Sequence, residues 1–422
     1  VAERHLRTLV VAEAYPWPAV DGYKQRLSQI IGGLALAGPV DLVALHRPGA
    51  AAPAEAPWPG VERSLAPATG AELGVRAWLG AWVRGPEPRR VLGTDWSELI
   101  AALPGWAGEY DLVWYSHVHT WWPVHTSLPA GPAIVDFDNL EHLALRLRRN
   151  TPPEFAPGSS MGGRAAVLGR WAVSRGFDLV DERRWDALQR RCAGSVDRVV
   201  VCSDLDARRS GVSNVSVVPN GAEPVPDART DRRTWIGDAP TLTFVGALDY
   251  GPNTDAVGWF VREVLPIVRA HRPSVRLRVV GRGAARVDWV RDEPGVELVG
   301  EVDDVRSELD RTDVSVVPIR VGAGTRLKVL EALAHHLPLV TTTVGCEGVD
   351  VEDGRTALIA DDPRTFADAC LRMLDDGDLR QRLADAGAEL FANRYSWPDI
   401  RERVAGLADE VASGRSAGTG PS

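Results

Sequence analysis

Arg326, Lys328 and Glu331 are the residues of this 422-residue chain whose types and spacing most directly suggest chemistry. They follow Gly322 and Gly324, where a missing Cβ lets backbone approach a ligand closely. Cations in the first turn of a helix face the positive end of its dipole, a cost of about 0.3–1 kcal/mol each. An anion bound at the helix start reverses that sign, and free backbone N–H groups are there to hold it. Glu331 falls on the apolar stripe of Leu327, Leu330 and Ala334, where a carboxylate is costly unless it finds hydrogen-bond donors. Two readings stand open. One is an i,i+3 pair between Lys328 and Glu331 on a partly exposed face; the other, favoured by the features taken together, is an anion plus a hydroxyl-rich ligand.

The elements that must position these residues are legible around them. Residues 314–317 read as a strand buried on both faces. Thr325 is an N-cap for a helix ending near His336, and residues 337–343 read as the next strand. Strand, glycine loop, helix and strand make a βαβ unit, whose ligands gather at the carboxyl ends of its strands.

The stretch G-A-G-T-R-L-K-V-L-E-A, preceded by V-V-P-I-R and followed by P-L-V-T-T-T-V-G-C-E-G, resembles the donor site of glycosyltransferase family 4. The resemblance implies an α/β chain of the GT-B fold: two Rossmann-like domains facing across a cleft, with a C-terminal helix crossing back to the first. It implies that the loop and helix start, Gly322, Ala323, Gly324, Thr325 and Leu327, hold the diphosphate of a nucleotide sugar. Lys328, with Arg326, would neutralise that diphosphate, and Glu331 would bind the ribose hydroxyls. The family often writes E-x7-E here, but Ala323 stands where the first glutamate is expected. The sequence resembles instead a branch with a glycine-rich loop, which leaves the donor sugar unassigned.

Composition narrows the class. The length suits two domains with full cores. A formal net charge of −9 argues against a nucleic-acid partner. No apolar run is long enough to span a membrane, and the N-terminal stretch does not read as a signal peptide. Cys192, Cys202, Cys346 and Cys370 are scattered, so neither a zinc knuckle nor a disulfide framework is indicated, and the cytoplasm is the default. Only two lysines, Lys24 and Lys328, stand against 46 arginines, which suggests a need for a compact ammonium at those points.

In the first half, residues 9–12 read as a strand leading through Gly22 and Lys24 into a helix over 23–36. The resemblance makes those two residues donor-site candidates; a plain strand-to-helix turn fits equally. Residues 40–45 are a second strand and 48–60 a low-complexity insertion. Residues 71–83 form an amphipathic helix, and the segment 71–84 is a candidate for weak contact with the inner face of a membrane, packing on the domain being the commoner fate. His117 ends the strand 111–116; the resemblance places a histidine there in contact with the donor sugar or its phosphate. His117-x-His119 with His125 could instead begin a metal site. Trp121 and Trp122 are acceptor-side candidates by stacking, against core packing. Asp136-x-Asp138 resembles the metal-binding D-x-D of GT-A enzymes, but a strand end feeding a helix near Asn139 accounts for it, and Asp138 is placed on the acceptor side. Residues 150–164 read as a loop, 185–193 as a helix, and 224–240 as the linker.

In the second half, a strand over 242–245 runs into Gly246, with Asn253 or Thr254 capping the next helix. Family members often carry a basic residue shortly after this glycine; residues 247–252 supply none, leaving Lys328, with Arg326 and Arg282 as alternatives. Arg286 breaks the G-x-G-x-x-G dinucleotide fingerprint, and no P-loop occurs. The resemblance places the nucleobase near Glu301 and Val302. The expected domains are 1–223 with a C-terminal helix over 395–412, and 224–394, followed by a disordered tail from 413. The implied activity is retaining transfer from a UDP-, GDP- or dTDP-sugar to a small-molecule or glycan acceptor, with no metal or other cofactor and with His117, Arg326, Lys328 and Glu331 at the reacting centre. An epimerase or pseudo-glycosyltransferase on the same fold, and a non-catalytic nucleotide-sugar-binding protein, are the alternatives.

Overall fold

The computed structural model describes residues 5–46, 49, 52–69, 75–106, 108, 110–150, 160–232, 239–322, 324 and 326–414. The chain divides into two compact units. One runs to Pro219 and includes the residues from Pro398 onward; the other is Asn220–Trp397.

The first unit is built on seven strands: β1 (Thr8–Ala12), β2 (Val40–Ala44), β3 (Val61–Leu65), β4 (Leu112–Ser116), β5 (Ala133–Asp136), β6 (Arg198–Val201) and β7 (Val215–Val217). All pairings are parallel, in the order β3-β2-β1-β4-β5-β6-β7. Every residue of β1, β2 and β4 is buried, as expected of a parallel sheet covered on both faces. The strand order reverses between β1 and β4, so the segments that leave their carboxyl ends emerge side by side. Asp21 caps the helix Gly22–Ala37 by accepting from the Lys24 amide. The C-terminal helix Trp397–Ala412 packs on it so closely that a Cβ on Gly33 would lie 2.8 Å from the Arg401 carbonyl oxygen. Arg198–Glu410 at 2.7 Å ties the same helix to β6.

One helix of the first unit departs from the sequence reading. The helix expected over 185–193 runs Met161–Ala193. Ser160 accepts from the Gly163 amide, and the glycines fall in a first turn whose N–H groups have no helical partner in any case. The amino-terminal half of this helix is exposed, so it carries no apolar stripe to read. Residues 151–159 of the expected loop lie outside the described residues, as do 71–74 of the amphipathic segment. The helix Val75–Arg84 turns Trp78 and Trp82 onto Phe177, with ring centroids 6.3 and 5.1 Å apart. Among the described residues no helix is long and apolar enough to cross a membrane.

The second unit has six parallel strands: β8 (Thr241–Val245), β9 (Arg276–Val280), β10 (Val296–Gly300), β11 (Val314–Val317), β12 (Leu339–Thr341) and β13 (Leu358–Ile359). Their order is β10-β9-β8-β11-β12-β13, with the reversal between β8 and β11. The apolar run of β11 is buried throughout, as its composition predicts. The helix Gly251–Trp259 begins one turn earlier than a cap at Asn253 or Thr254 would allow. Both side chains instead turn back onto the preceding loop, to the carbonyls of Ala247 and Leu248 at 2.8 Å each. Ala222 exchanges backbone bonds with Tyr395 and Trp397 at 3.0 and 3.1 Å. That pairing places 220–223 and 395–397 in the second unit, a few residues from the boundaries expected from the sequence.

Candidate functional site

In the second unit, glycines collect at the carboxyl ends of neighbouring strands. Gly246 follows β8, Gly281 follows β9, Gly300 ends β10, and Gly322 and Gly324 follow β11. Gly322 and Gly324 have φ of 130° and 86°, a region that favours glycine. Gly281, at φ 147°, lies so close to the loop after β8 that an added Cβ would sit 2.0 Å from the Gly246 carbonyl oxygen. Gly281→Ala is therefore expected to cost about 3 kcal/mol, through overpacking against backbone and a disfavoured φ; urea denaturation measures it. Ala323 and Thr325 lie outside the described residues.

The helix Leu327–Ala334 starts at the β8/β11 reversal. Arg326 occupies the cap position rather than the first turn, a correction to the sequence reading. Its guanidinium folds under the glycine loop, 3.2 Å from where a Gly322 Cβ would be, and Nε donates to the Val344 carbonyl at 3.1 Å. Burial lowers its pKa. Lys328 is in the first turn. Its Nζ donates to Asn253 Oδ1 at 2.5 Å, lies 4.4 Å from the Phe244 ring centroid, and would be 2.9 Å from a Cβ on Gly246. Gly246 thus leaves the space that Lys328 and Asn253 fill. Burial, and then the Arg326 cation, push the Lys328 ammonium down to about 7.

Glu331 lies one turn further on and is half-buried. Among the described residues its carboxylate takes no hydrogen bond and no ion pair, so the i,i+3 pair with Lys328 does not form. Burial pushes its carboxyl up to about 7, with Lys328 pulling the other way. Between the ordinary glutamate value of about 4.3 and 7 the folded state keeps a proton that the unfolded chain has released. Stability from this group is therefore fully present below that window and falls as pH rises through it. Glu331→Gln is expected to remove that fall, leaving the variant on the order of 1–2 kcal/mol more stable than wild type at pH 8. Urea midpoints at pH 5 and pH 8 test this.

Of the other donor-side residues, Arg282 is half-exposed and pairs with Asp249 at 3.2 Å, Glu301 is exposed and Val302 is half-buried. Leu327 packs against the core.

In the first unit the sequence reading was incomplete. His117 directly follows β4, with φ at 101°, an uncommon backbone for a non-glycine residue. It lines a concavity of about 190 Å³, counting its open mouth, together with Tyr23, Arg26, Leu27, Ser116, Asp136 and Asp138. Arg26 grips Asp136 with two bonds of 2.8 and 3.0 Å and reaches the Val218 carbonyl at 3.0 Å; Asp138 lies 3.7 Å from it. Tyr23 Oη and Ser116 Oγ share a hydrogen bond of 2.5 Å. Burial, then the neighbouring His119, push the His117 imidazole down to about 3. Sequence reasoning missed Glu13, Tyr23, Arg26 and Arg90 in this cluster. The one local signal was Glu13, an acid placed directly after the apolar run of residues 9–12.

Several expected positions are corrected. Gly22 is the first residue of a helix, not part of a loop, and the half-buried Lys24 sits in its first turn. Trp121 is buried in the core and stacks on His125 at 4.2 Å, so it is closed to an acceptor. Trp122 packs against the same core under Arg191, 5.1 Å from its ring. The two histidines of His117-x-His119 stack on each other at 5.0 Å, and no group with metal-holding geometry occurs among the described residues.

Two parallel-sheet units, each with its strand order reversing beside the first strand, and a final helix returned to the first unit constitute the GT-B fold. The chain superposes on sucrose-phosphate synthase from Thermosynechococcus elongatus with a TM-score of 0.67, at 18% identity, covering 97% of this chain and 100% of that one. It also superposes on Anabaena Alr3699/HepE in complex with UDP and glucose, with a TM-score of 0.57, at 13% identity, over 96% of this chain and 100% of that one. Residues 239–376 match the sequence family Glycosyl transferases group 1. Glycogen synthase of Mycobacterium tuberculosis is 28% identical over 207 residues, 46% of this chain and 48% of that protein. Alpha-D-kanosaminyltransferase of Streptomyces kanamyceticus is 26% identical over 194 residues, 44% and 49% of the two chains. The chain thus spans about half the length of the curated relatives it matches.

Proposed function

We propose that this protein is a retaining glycosyltransferase. The second unit holds a nucleoside diphosphate sugar and the first unit binds the acceptor, with no metal ion or other cofactor. The observation that carries the reading is Lys328, set in the first turn of a helix at the strand reversal, above a glycine and beside two positive-φ glycines. A diphosphate there gains the ammonium and the free helix N–H groups. Charge developing on the departing diphosphate is stabilised by the same groups. Glu331 takes the ribose hydroxyls, and the base lies near Glu301 and Val302. His117, neutral at ordinary pH, serves as an uncharged hydrogen-bond partner for the sugar. The leaving diphosphate accepts the acceptor's proton on the face where the new bond forms, so no side-chain base is needed. Retention is supported by the resemblance of the donor loop, and UDP by the HepE complex. The cytoplasm is the proposed compartment, where the buried free thiols of Cys192, Cys202, Cys346 and Cys370 stay reduced.

A thermal-shift panel of UDP, GDP and dTDP tests this, because a ligand that binds only the folded state raises its melting temperature. One diphosphate is expected to stabilise wild type and to lose that effect in Lys328→Ala. A panel in which none stabilises overturns the reading.

A further inference from the structure

Glu13 leaves the end of β1 beside the end of β4, where the strand order of the first unit reverses. It is 4% exposed, although a carboxylate is an expensive group to bury. Its Oε2 meets His119 Nε2 at 2.5 Å, and its Oε1 meets Arg90 Nη2 at 3.0 Å; Arg90 in turn holds Glu141 at 2.7 Å. The His119 ring stacks on the His117 ring, with centroids 5.0 Å apart and planes 19° apart. On the other side of His117 the Tyr23 ring stacks at 5.0 Å and 18°. The result is a three-ring stack with His117 at its centre and Glu13 fixing one outer ring. His117 itself is 7% exposed and lines the concavity, and among the described residues its imidazole takes no hydrogen bond; Glu13 Oε1 stays 3.8 Å from its Nε2.

We propose that Glu13 is a positioning residue: by holding His119 it completes the stack that fixes the otherwise unbonded His117 ring, in its strained backbone, at the wall of the concavity. A left-handed backbone at a non-glycine residue persists only where its surroundings over-determine it, and the stack does so here. The charged and titratable groups that face His117 are Glu13, Arg90 and His119 on one side, and Tyr23, Arg26, Asp136 and Asp138 on the other. Burial and the adjacent His119 keep His117 neutral, consistent with a hydrogen-bonding rather than a cationic task. The catalytic consequence rests on the glycosyltransferase reading; the geometric one does not.

Two measurements on the full chain separate them. Imidazole NMR of histidine-labelled protein, with His117→Gln to assign the signal, reads the stack directly. In wild type the His117 ring protons lie upfield, shifted by two ring faces, and do not titrate between pH 5 and 8. In Glu13→Gln they are expected to move downfield, as the loosened stack withdraws one or both ring faces from His117. In the double variant Glu13→Gln/His119→Phe a phenyl ring, which needs no carboxylate to hold it, is expected to return them upfield. Unchanged His117 signals in folded Glu13→Gln overturn the proposal, as does a double variant no different from the single. The second measurement is release of UDP, GDP or dTDP from the matching hexose donor. Glu13→Gln is expected to lower kcat by about 10²-fold, the scale of a small misplacement of a reacting group. The diphosphate's thermal shift should be unchanged, and part of the rate should return in the double variant. A lost thermal shift or an unchanged kcat refutes the link to catalysis. If wild type turns over no donor, the glycosyltransferase reading fails while the NMR result still decides the role of Glu13.

Discussion

Lys328→Ala is expected to lower kcat by about 10²–10³-fold, the scale seen when one preorganised electrostatic donor is removed from a reacting centre. The folded state should survive the change. Lys328 loses water on burial, which already brings its pKa to about 7. Its removal leaves Asn253 with its bond to the Ala247 carbonyl at 2.8 Å intact. The lost hydrogen bond and ring contact cost about 1 kcal/mol. Arginine is not expected to rescue the variant. The ammonium sits over Phe244 and within 2.9 Å of the position a Gly246 Cβ would take, and a planar guanidinium needs more room. Initial rates of diphosphate release, with a melting curve for each variant, check both halves. Near-normal turnover in folded Lys328→Ala would remove the group on which the donor assignment depends.

The donor half of the site was largely legible in the chain because its parts are local. An apolar run, two glycines, a lysine and a misplaced glutamate fall within eighteen positions, 314–331. Helix and strand periodicity then fix which faces they share. The other half was hidden for a physical reason. His119 is 106 positions from Glu13, and Arg26 is 110 from Asp136. Such pairs are brought together by strand order, which no short-range pattern encodes. Asn253, 75 positions from Lys328, was read as a helix cap for the same reason. Trp121 and Trp122 show the opposite error: an aromatic pair after a strand carries the same local signal whether it faces a ligand or the core. The Met161–Ala193 helix escaped because its exposed half has no buried face to impose a period.

Arg26→Met is expected to destabilise the protein by about 3–5 kcal/mol, the largest stability loss predicted here, because it leaves a buried carboxylate without its cation. Arg26 and Asp136 are 2% and 5% exposed. Burial works against the charge of each; the Asp136 charge holds the Arg26 proton firmly, while burial raises the Asp136 carboxyl. The guanidinium also binds the Val218 carbonyl, so one side chain joins the first helix to the end of β5 and to the segment after β7. A stability loss alone would not distinguish a site role from a structural one. Arg26→Met/Asp136→Leu does, since a well-packed apolar pair often matches or exceeds the stability of a buried ion pair. The double variant should recover most of the lost stability by urea denaturation. It should nonetheless remain slow in transfer, because the polar wall beside His117 and Asp138 has become apolar. Full recovery of both stability and rate would mean that the pair only holds the sheet together, and that the acceptor is recognised elsewhere.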